Sequence, residues 1–401
     1  MPPAGALPPH DPAQSPYTAA PQPHVASQSH ATPQPYAAPH PYDDAARAAA
    51  GPPPGNPGMA PPAAAPQPYA TGPQPYATGP YGQPGAAPQP YASATVPPPP
   101  PPEARGYTQF YRTPRNRWWK GLVSIVVVLT VFLVASLILG LIAMLIDAVT
   151  GASDPEALMS GEVSMTPLLL LSVNLTVIVT ALLTALLHVF LHRQPLGTWH
   201  SVTGRFRWRW FGTSALVIVP MFLLYVGVFT FLDPGSSSWS VDGTAIAFLV
   251  VVLLTTPFQS AGEEYLFRGV IQRAAGSWAS GPTASLILGT AVSAVAFSLM
   301  HFAADVWLIV YYLIVGVTMS LLTQVTGGLE SSVLMHAVNN TLLFIPAIFL
   351  GQMDSGFDRS AGTGGPIMLI PMAVFIVVSA AVAAIAWRKK IARTGLPPAT
   401  A

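Results

Sequence analysis

The chain contains no cysteine, which excludes disulfides, thiolate metal sites and a cysteine nucleophile. It is also poor in charge: Asp, Glu, Lys and Arg make up 8% of its 401 residues, against roughly 25% in ordinary soluble domains. Residues 118–390 are instead dominated by Leu, Val, Ala and Ile. The broad class that fits is a polytopic membrane protein. A signal peptide is not evident either, since Met1-Pro2-Pro3 offers neither a basic n-region nor an apolar h-region. The first apolar run, after Lys120, is therefore expected to act as an uncleaved insertion signal.

What is present divides into two unlike parts. Residues 1–105 are dominated by Pro, Ala, Gly, Gln and Tyr, repeat Pro-Gln-Pro-Tyr at 33–36, 66–69, 73–76 and 88–91, and end in a proline run at 97–102. Proline removes backbone donors and fixes φ, so such a segment forms neither helix nor ladder, and it lacks the aliphatic residues of a core. A disordered cytoplasmic tail over residues 1–117 is expected, either a docking segment for tail-binding partners or, the plainer reading, a solvated spacer. His10, His24, His30 and His40 are too scattered for a metal site. A membrane-embedded domain follows over 118–393, with a short C-terminal tail over 394–401.

Eight apolar segments can be drawn, at 121–146, 167–191, 211–232, 244–262, 283–301, 306–325, 330–350 and 366–387, each near the ~20 residues a helix needs to cross the hydrocarbon. The fourth to sixth are the least regular, because Pro257, polar residues or short linkers interrupt them. With the N-terminus inside, Arg105, Arg112, Arg115, Arg117, Lys120, Arg193, Arg205, Arg207, Arg209, Arg268, Arg273, Arg388, Lys389, Lys390 and Arg393 all fall on the cytoplasmic side. Arg359 alone falls in an outer loop, while Asp147, Asp154, Glu156, Glu162, Asp233, Asp242, Asp354 and Asp358 collect outside. This asymmetry predicts an all-α, eight-span bundle in the plasma membrane with both termini cytoplasmic. Trp118, Trp119, Trp208, Trp210 and Trp387 read as interfacial anchors, and so do His188 and His192 despite their i, i+4 spacing. His200, in a basic loop, needs no role.

Three polar elements interrupt the apolar sequence. The first is Glu263-Glu264-Tyr265-Leu266-Phe267-Arg268. A carboxylate in lipid costs roughly 2.5–3.5 kcal/mol on insertion scales unless it is sheltered. On a helix Glu264 and Arg268 are four apart with the acid first, the favourable order for an ion pair, while Glu263 points about 100° away and is free to serve as a general base. The second is Phe297-Ser298-Leu299-Met300-His301; a lone histidine at a span end is by itself more often interfacial. The third is His336-Ala337-Val338-Asn339-Asn340, whose His336 and Asn340 share one helix face and can donate two hydrogen bonds to one point. Glu263, His301 and His336 could equally hold a divalent ion such as zinc, although the His-Glu-x-x-His helix of zinc proteases is absent.

In this order the three elements resemble the CAAX protease and bacteriocin-processing family, also called Abi. Its Glu-Glu-x-x-x-Arg, Phe-x-x-x-His and His-x-x-x-Asn/Asp patterns read here as Glu263-Glu264-x-x-x-Arg268, Phe297-x-x-x-His301 and His336-x-x-x-Asn340. The resemblance covers about residues 244–345 and leaves the tail outside. It implies an intramembrane (metallo)endopeptidase similar to the type II CAAX prenyl protease, acting on membrane-associated substrates, prenylated ones among them. Carried over, Glu263 and His301 activate water, His336 and Asn340 bind the oxyanion, and Glu264, Arg268 and Phe297 support the site. A metal and a metal-independent glutamate mechanism both remain open. The expected partners are the bilayer and a peptide or protein substrate, with no nucleic acid. A non-catalytic immunity or assembly factor of the same fold and a proton-coupled transporter are the rival readings. One difficulty stands: straight full-length spans put His301 near the outer face and His336 in the middle or inner half, so one helix must be short, broken or tilted.

Overall fold

The structure, a computed structural model, describes residues 103–397 apart from 115, 155, 157–159, 161–162 and 233–238. The Pro-Gln-Pro-Tyr tail up to residue 102 with its four histidines, Arg115, Glu162, Asp233 and the last residues of the C-terminal tail lie outside the described residues.

Among the described residues, eight helices are long and apolar enough to cross a membrane: Trp118–Thr150, Pro167–Leu191, Trp208–Leu232, Gly243–Gly276, Pro282–Leu299, Val306–Thr326, Glu330–Phe349 and Pro366–Arg388. They are called the first to eighth spans below. The fourth packs against the second and the seventh, the fifth against the sixth, the third against the seventh, and the eighth against the sixth and third. Leu137, Leu141 and Leu145 of the first span are more than half exposed, whereas Thr176, Thr180, Thr184, Ser260, Ser293 and Ser332 are buried. That inversion is what a lipid solvent selects. Aliphatic surface costs nothing outside, and small hydroxyl residues let helices approach closely while bonding to carbonyls. Gly316 of the sixth span shows the constraint, because a Cβ there would come 2.8 Å from Ala294 Cα of the fifth.

The span boundaries agree with the sequence to within a few residues except at the fourth. Pro257 does not end that helix. It continues through a π-helical turn at Phe267–Ile271 to Gly276, and every residue from Leu266 to Gly276 is buried. Arg268 and Arg273 are therefore not cytoplasmic loop cations but fully buried side chains within the fourth span. A π-turn widens the helix by one residue and is frequent at functional sites. Here it separates the paired Arg268 from Arg273.

The seventh span differs in depth rather than length. Every residue from Glu330 to His336 is buried. Its first turn is roofed by the 200–207 segment, in which Ser201 bridges Gly328, Val202 N–H donates to Gly327 O and Leu329 N–H donates to His200 O. Arg207 then grips Glu330, with Nε on Oε1 at 2.8 Å and Nη2 on Oε2 at 2.7 Å. Arg207 is thus a bidentate partner of a buried acid at a helix start, not a free loop cation. At a rise of about 1.5 Å per residue, Glu263 lies about 20 Å from the Gly276 end of its helix and His336 only about 9 Å from Glu330. The seventh span therefore starts about 10 Å further in than the fourth ends. That inset, rather than a broken helix, brings the third motif level with the first.

The expected tail boundary at residue 117 differs from the structure. Strand β1 (Arg105–Gly106) pairs antiparallel with β2 (Thr394–Gly395), which joins the two described ends of the chain. Next to it Tyr107, Phe110 and Tyr111 are fully buried around Arg273, whose guanidinium lies 3.6 Å from the Tyr107 ring centroid and donates to Thr198 O at 2.6 Å. Buried aromatic faces and a carbonyl compensate this cation in place of a carboxylate. Burial raises the hydroxyl pKa of Tyr107 and Tyr111.

His188 and His192 belong to the same collar and are buried rather than interfacial. His188 Nδ1 accepts from Tyr111 Oη at 2.8 Å, and its Nε2 lies 3.1 Å from Pro195 O. His192 stacks on Tyr111 at 3.9 Å and bonds Ser124 and Asn116. His200 also has a partner, the Tyr265 hydroxyl at 2.5 Å. Trp118, Trp208 and Trp387 are about 70% exposed at span ends, as anchors should be, but Trp210 is buried in the core.

Candidate active site

The fourth and seventh spans meet where Glu263 and Glu264 face His336. Glu264 is fully buried. Its Oε1 accepts from Arg268 Nη1 at 3.0 Å and lies 2.8 Å from His336 Nδ1. Arg268, also fully buried, donates through Nη2 to Gly316 O at 3.2 Å and lies 4.5 Å over the Phe297 ring. One carboxylate oxygen is thus shared by a guanidinium and an imidazole, and the guanidinium rests on an aromatic face. This is the pairing that makes buried charge tolerable.

Glu263 is held differently. Its Oε1 accepts from Gln259 Nε2, one helical turn earlier. Its Oε2 is buried without a hydrogen bond, 3.5 Å from His336 Nε2. Since Nδ1–H of His336 donates to Glu264, the Nε2 edge and Glu263 Oε2 confront each other.

Asn340, one turn beyond His336, is half-buried and donates to Ser260 Oγ at 3.2 Å, while its Oδ1 accepts from Asn339 Nδ2 at 2.9 Å. Ser260 Oγ in turn donates to Gln259 Oε1 at 3.1 Å. A chain of amide and hydroxyl groups therefore links Asn340 to Glu263 across the two helices.

His301 follows the fifth span in a turn where Phe302 has φ 52°. Its Nδ1–H donates to Phe297 O at 2.7 Å, which leaves Nε2 as the open nitrogen. Its ring stacks on Tyr312 at 3.9 Å and lies 4.5 Å from Phe297, and the same Phe297 ring touches His336 at 5.9 Å. All six polar motif residues therefore gather around Phe297 or the Glu263–Glu264 pair. His301 reaches the group through aromatic rings rather than through a hydrogen bond to a carboxylate.

The proposed metal set Glu263, His301 and His336 does not fit as a ligand shell in this arrangement. Among the described residues no three His, Asp or Glu side chains are grouped so that they could hold a metal ion. Residues beyond the motifs also shape the site. Gln259 orients Glu263, Tyr312 carries His301, and Ser260 and Asn339 bracket Asn340. Gln259 was within reach of sequence reasoning, being four residues before Glu263. Tyr312 was not, because nothing local marks it among the apolar residues of its span.

Comparison with known proteins bears on the segment that carries all of these residues. Residues 244–342 match the family model described as Type II CAAX prenyl endopeptidase Rce1-like. No curated protein and no solved structure matches the chain.

Proposed function

We propose, since residues 244–342 match the family model described as Type II CAAX prenyl endopeptidase Rce1-like, that the chain hydrolyses peptide bonds of membrane-associated substrates with a water activated by Glu263. The observation that carries this reading is the asymmetry of the two glutamates. Each has one buried oxygen without a hydrogen bond, but the other oxygen of Glu264 is shared by Arg268 and His336, whereas that of Glu263 is held only by the neutral amide of Gln259 and its open Oε2 faces His336 Nε2 at 3.5 Å.

In the proposed reaction, Glu263 Oε2 takes a proton from water as the water oxygen bonds to the substrate carbonyl carbon. The carbonyl π electrons move to oxygen, and the resulting oxyanion accepts from His336 Nε2–H and from the second N–H of Asn340. A proton on both nitrogens of His336 would make the four buried groups neutral as a set, two carboxylates against a guanidinium and an imidazolium. That balance supports His336 as a donor. Collapse of the intermediate breaks the C–N bond, and Glu263 returns its proton to the leaving amine. His301, through its open Nε2, orients the water or the leaving group. No step is routed through a metal, since the donor geometry does not supply a ligand shell.

The test is incubation of the purified full chain in liposomes with membrane-inserting peptides, prenylated and unprenylated, with products read by mass spectrometry. We expect cleavage by the wild-type chain and none by Glu263→Gln. Proton-coupled solute flux without any cleavage would instead favour a transporter.

A further inference from the structure

We propose that Arg359 receives the substrate at the end of the bundle opposite the β1–β2 pair, and that the group it receives is a carboxylate. The inference rests on the peptidase reading above and adds the charge that the substrate must carry.

The end of the bundle at the β1–β2 pair is closed over the site. The Tyr107–Tyr111 strap, the 200–207 roof and the Arg207–Glu330 pair fill it, and Glu330 to His336 are buried without exception. Burial relaxes beyond His336. From Ala337 to Ala347 the seventh span is only half-buried apart from Asn339, and His301 is half-buried as well. The approach to Asn340 and His301 therefore opens away from the β1–β2 end.

At that end the loop that carries Arg359 is fastened to the turn after His301. Ala304 N–H donates to Arg359 O at 2.8 Å, and Gly362 N–H donates to Asp305 Oδ2 at 3.0 Å. The other Asp305 oxygen caps the sixth span through Trp307 and Leu308 N–H. Desolvation opposes the ionisation of Asp305, but the backbone N–H groups outweigh it and hold the carboxyl below the ordinary aspartate range.

So placed, the Arg359 guanidinium lies 5.7 Å from the Tyr312 ring centroid, and the same ring stacks on His301 at 3.9 Å. The cation stands one aromatic ring away from a motif histidine. The neighbouring Asp358 feels its charge without closing an ion pair on it. The hydrogen bonds of Arg359 run from Nη1 to Gly356 O and Asp358 O, and it forms no ion pair among the described residues. The nearby acids are engaged elsewhere: Asp358 Oδ1 by Ser360, Asp354 Oδ1 by Met165 N–H, and both Asp305 oxygens by backbone. A half-buried guanidinium with Nε and Nη2 open, backed by an aromatic face, is built for two-point recognition of a planar anion. On a peptide that anion is a carboxylate, at the C-terminus or on an acidic side chain.

The experiment uses the full chain in liposomes with internally quenched peptides of one sequence in three forms: C-terminal free acid, C-terminal amide, and amide with one added aspartate. The wild-type chain is expected to favour a carboxylate-bearing form. Arg359→Gln is expected to raise KM for that form by about 10- to 100-fold, as loss of a charge-assisted contact implies, with kcat nearly unchanged and the preference over the amide abolished. Arg359→Lys should restore part of the difference. Equal losses on all three peptides would overturn the proposal. So would an Arg359 effect that vanishes when anionic lipid is left out of the vesicles, which would assign the cation to a lipid phosphate. If the wild-type chain cleaves none of the peptides, the peptidase reading fails by itself. Fluorescence binding of the same three peptides to Glu263→Gln, with and without Arg359→Gln, then decides the carboxylate preference independently.

Discussion

Replacing Glu264 by glutamine tests whether the buried charges act as one unit. The carboxylate Oε1 serves Arg268 at 3.0 Å and His336 at 2.8 Å, and neither Glu264 nor Arg268 has any solvent exposure. The amide keeps the shape and removes the charge. Arg268 would keep Gly316 O and the Phe297 face, but no anion at hydrogen-bond distance. Breaking a buried pair on one side costs about 3–5 kcal/mol, while replacing both partners by apolar groups costs far less. We therefore expect Glu264→Gln to lower the thermal midpoint in detergent markedly and Arg268→Met to do likewise. The Glu264→Gln/Arg268→Met double variant should be more stable than the sum of the two losses predicts. All three should lose activity, because Glu264→Gln removes the charge of the acceptor that fixes His336 Nδ1–H and Arg268→Met removes the cation that holds that acceptor in place. Additive losses, or a Glu264→Gln midpoint within about 1 kcal/mol of wild type, would refute the shared-oxygen arrangement, since an exposed pair has a median worth of only about 0–1 kcal/mol.

Other expectations follow from the collar and the donor geometry. Burial holds His192 neutral, its pKa lowered to about 3 against about 6.5 in an unfolded chain. Its stabilising effect is complete above about pH 6.5 and declines as pH falls toward 3, by up to about 1.4 kcal/mol per pH unit, because only the unfolded chain takes the proton; His192→Gln should flatten the midpoint-versus-pH curve, and an unchanged slope would contradict the burial. Tyr107→Ala removes a buried ring from Arg273 and the hydroxyl bond to Trp199 O at 2.6 Å, and should cost about 3–5 kcal/mol by analogy with large aromatic truncations. Deleting residues 1–102 should leave the thermal midpoint unchanged, whereas deleting 1–112 should collapse it. Treatment with a strong chelator followed by gel filtration should leave peptidase activity intact; loss of activity restored by zinc would show that the metal reading was right and that the site rearranges to bind.

The number of spans, the joining of both described ends at one side and the grouping of three motifs were legible because each is written locally, in apolar length and in residue spacing. Depth was not. Apolar length fixes how far a helix can reach but not where it starts. The inset of the seventh span depends on Arg207 meeting Glu330 from a distant loop, and the extension of the fourth depends on burying Arg268 and Arg273 against partners on other helices. The Tyr107–Tyr111 strap read as tail for the same reason: a short aromatic run in polar sequence has no periodicity, and its order comes from a buried cation far along the chain. The pairing of Glu264 with Arg268 followed from i, i+4 spacing. That His336 would bond the same oxygen did not, since it requires knowing how two helices face each other.

The most direct test of the central claim compares initial cleavage rates of one peptide by the wild-type chain, Glu263→Gln and Asn340→Ala at equal folded protein in the same vesicles. An open glutamate acting as base, with a separate oxyanion donor, predicts no measurable turnover for Glu263→Gln and a fall of about 10²–10³ in kcat for Asn340→Ala at little change in KM. Turnover by Glu263→Gln at the wild-type rate would contradict it.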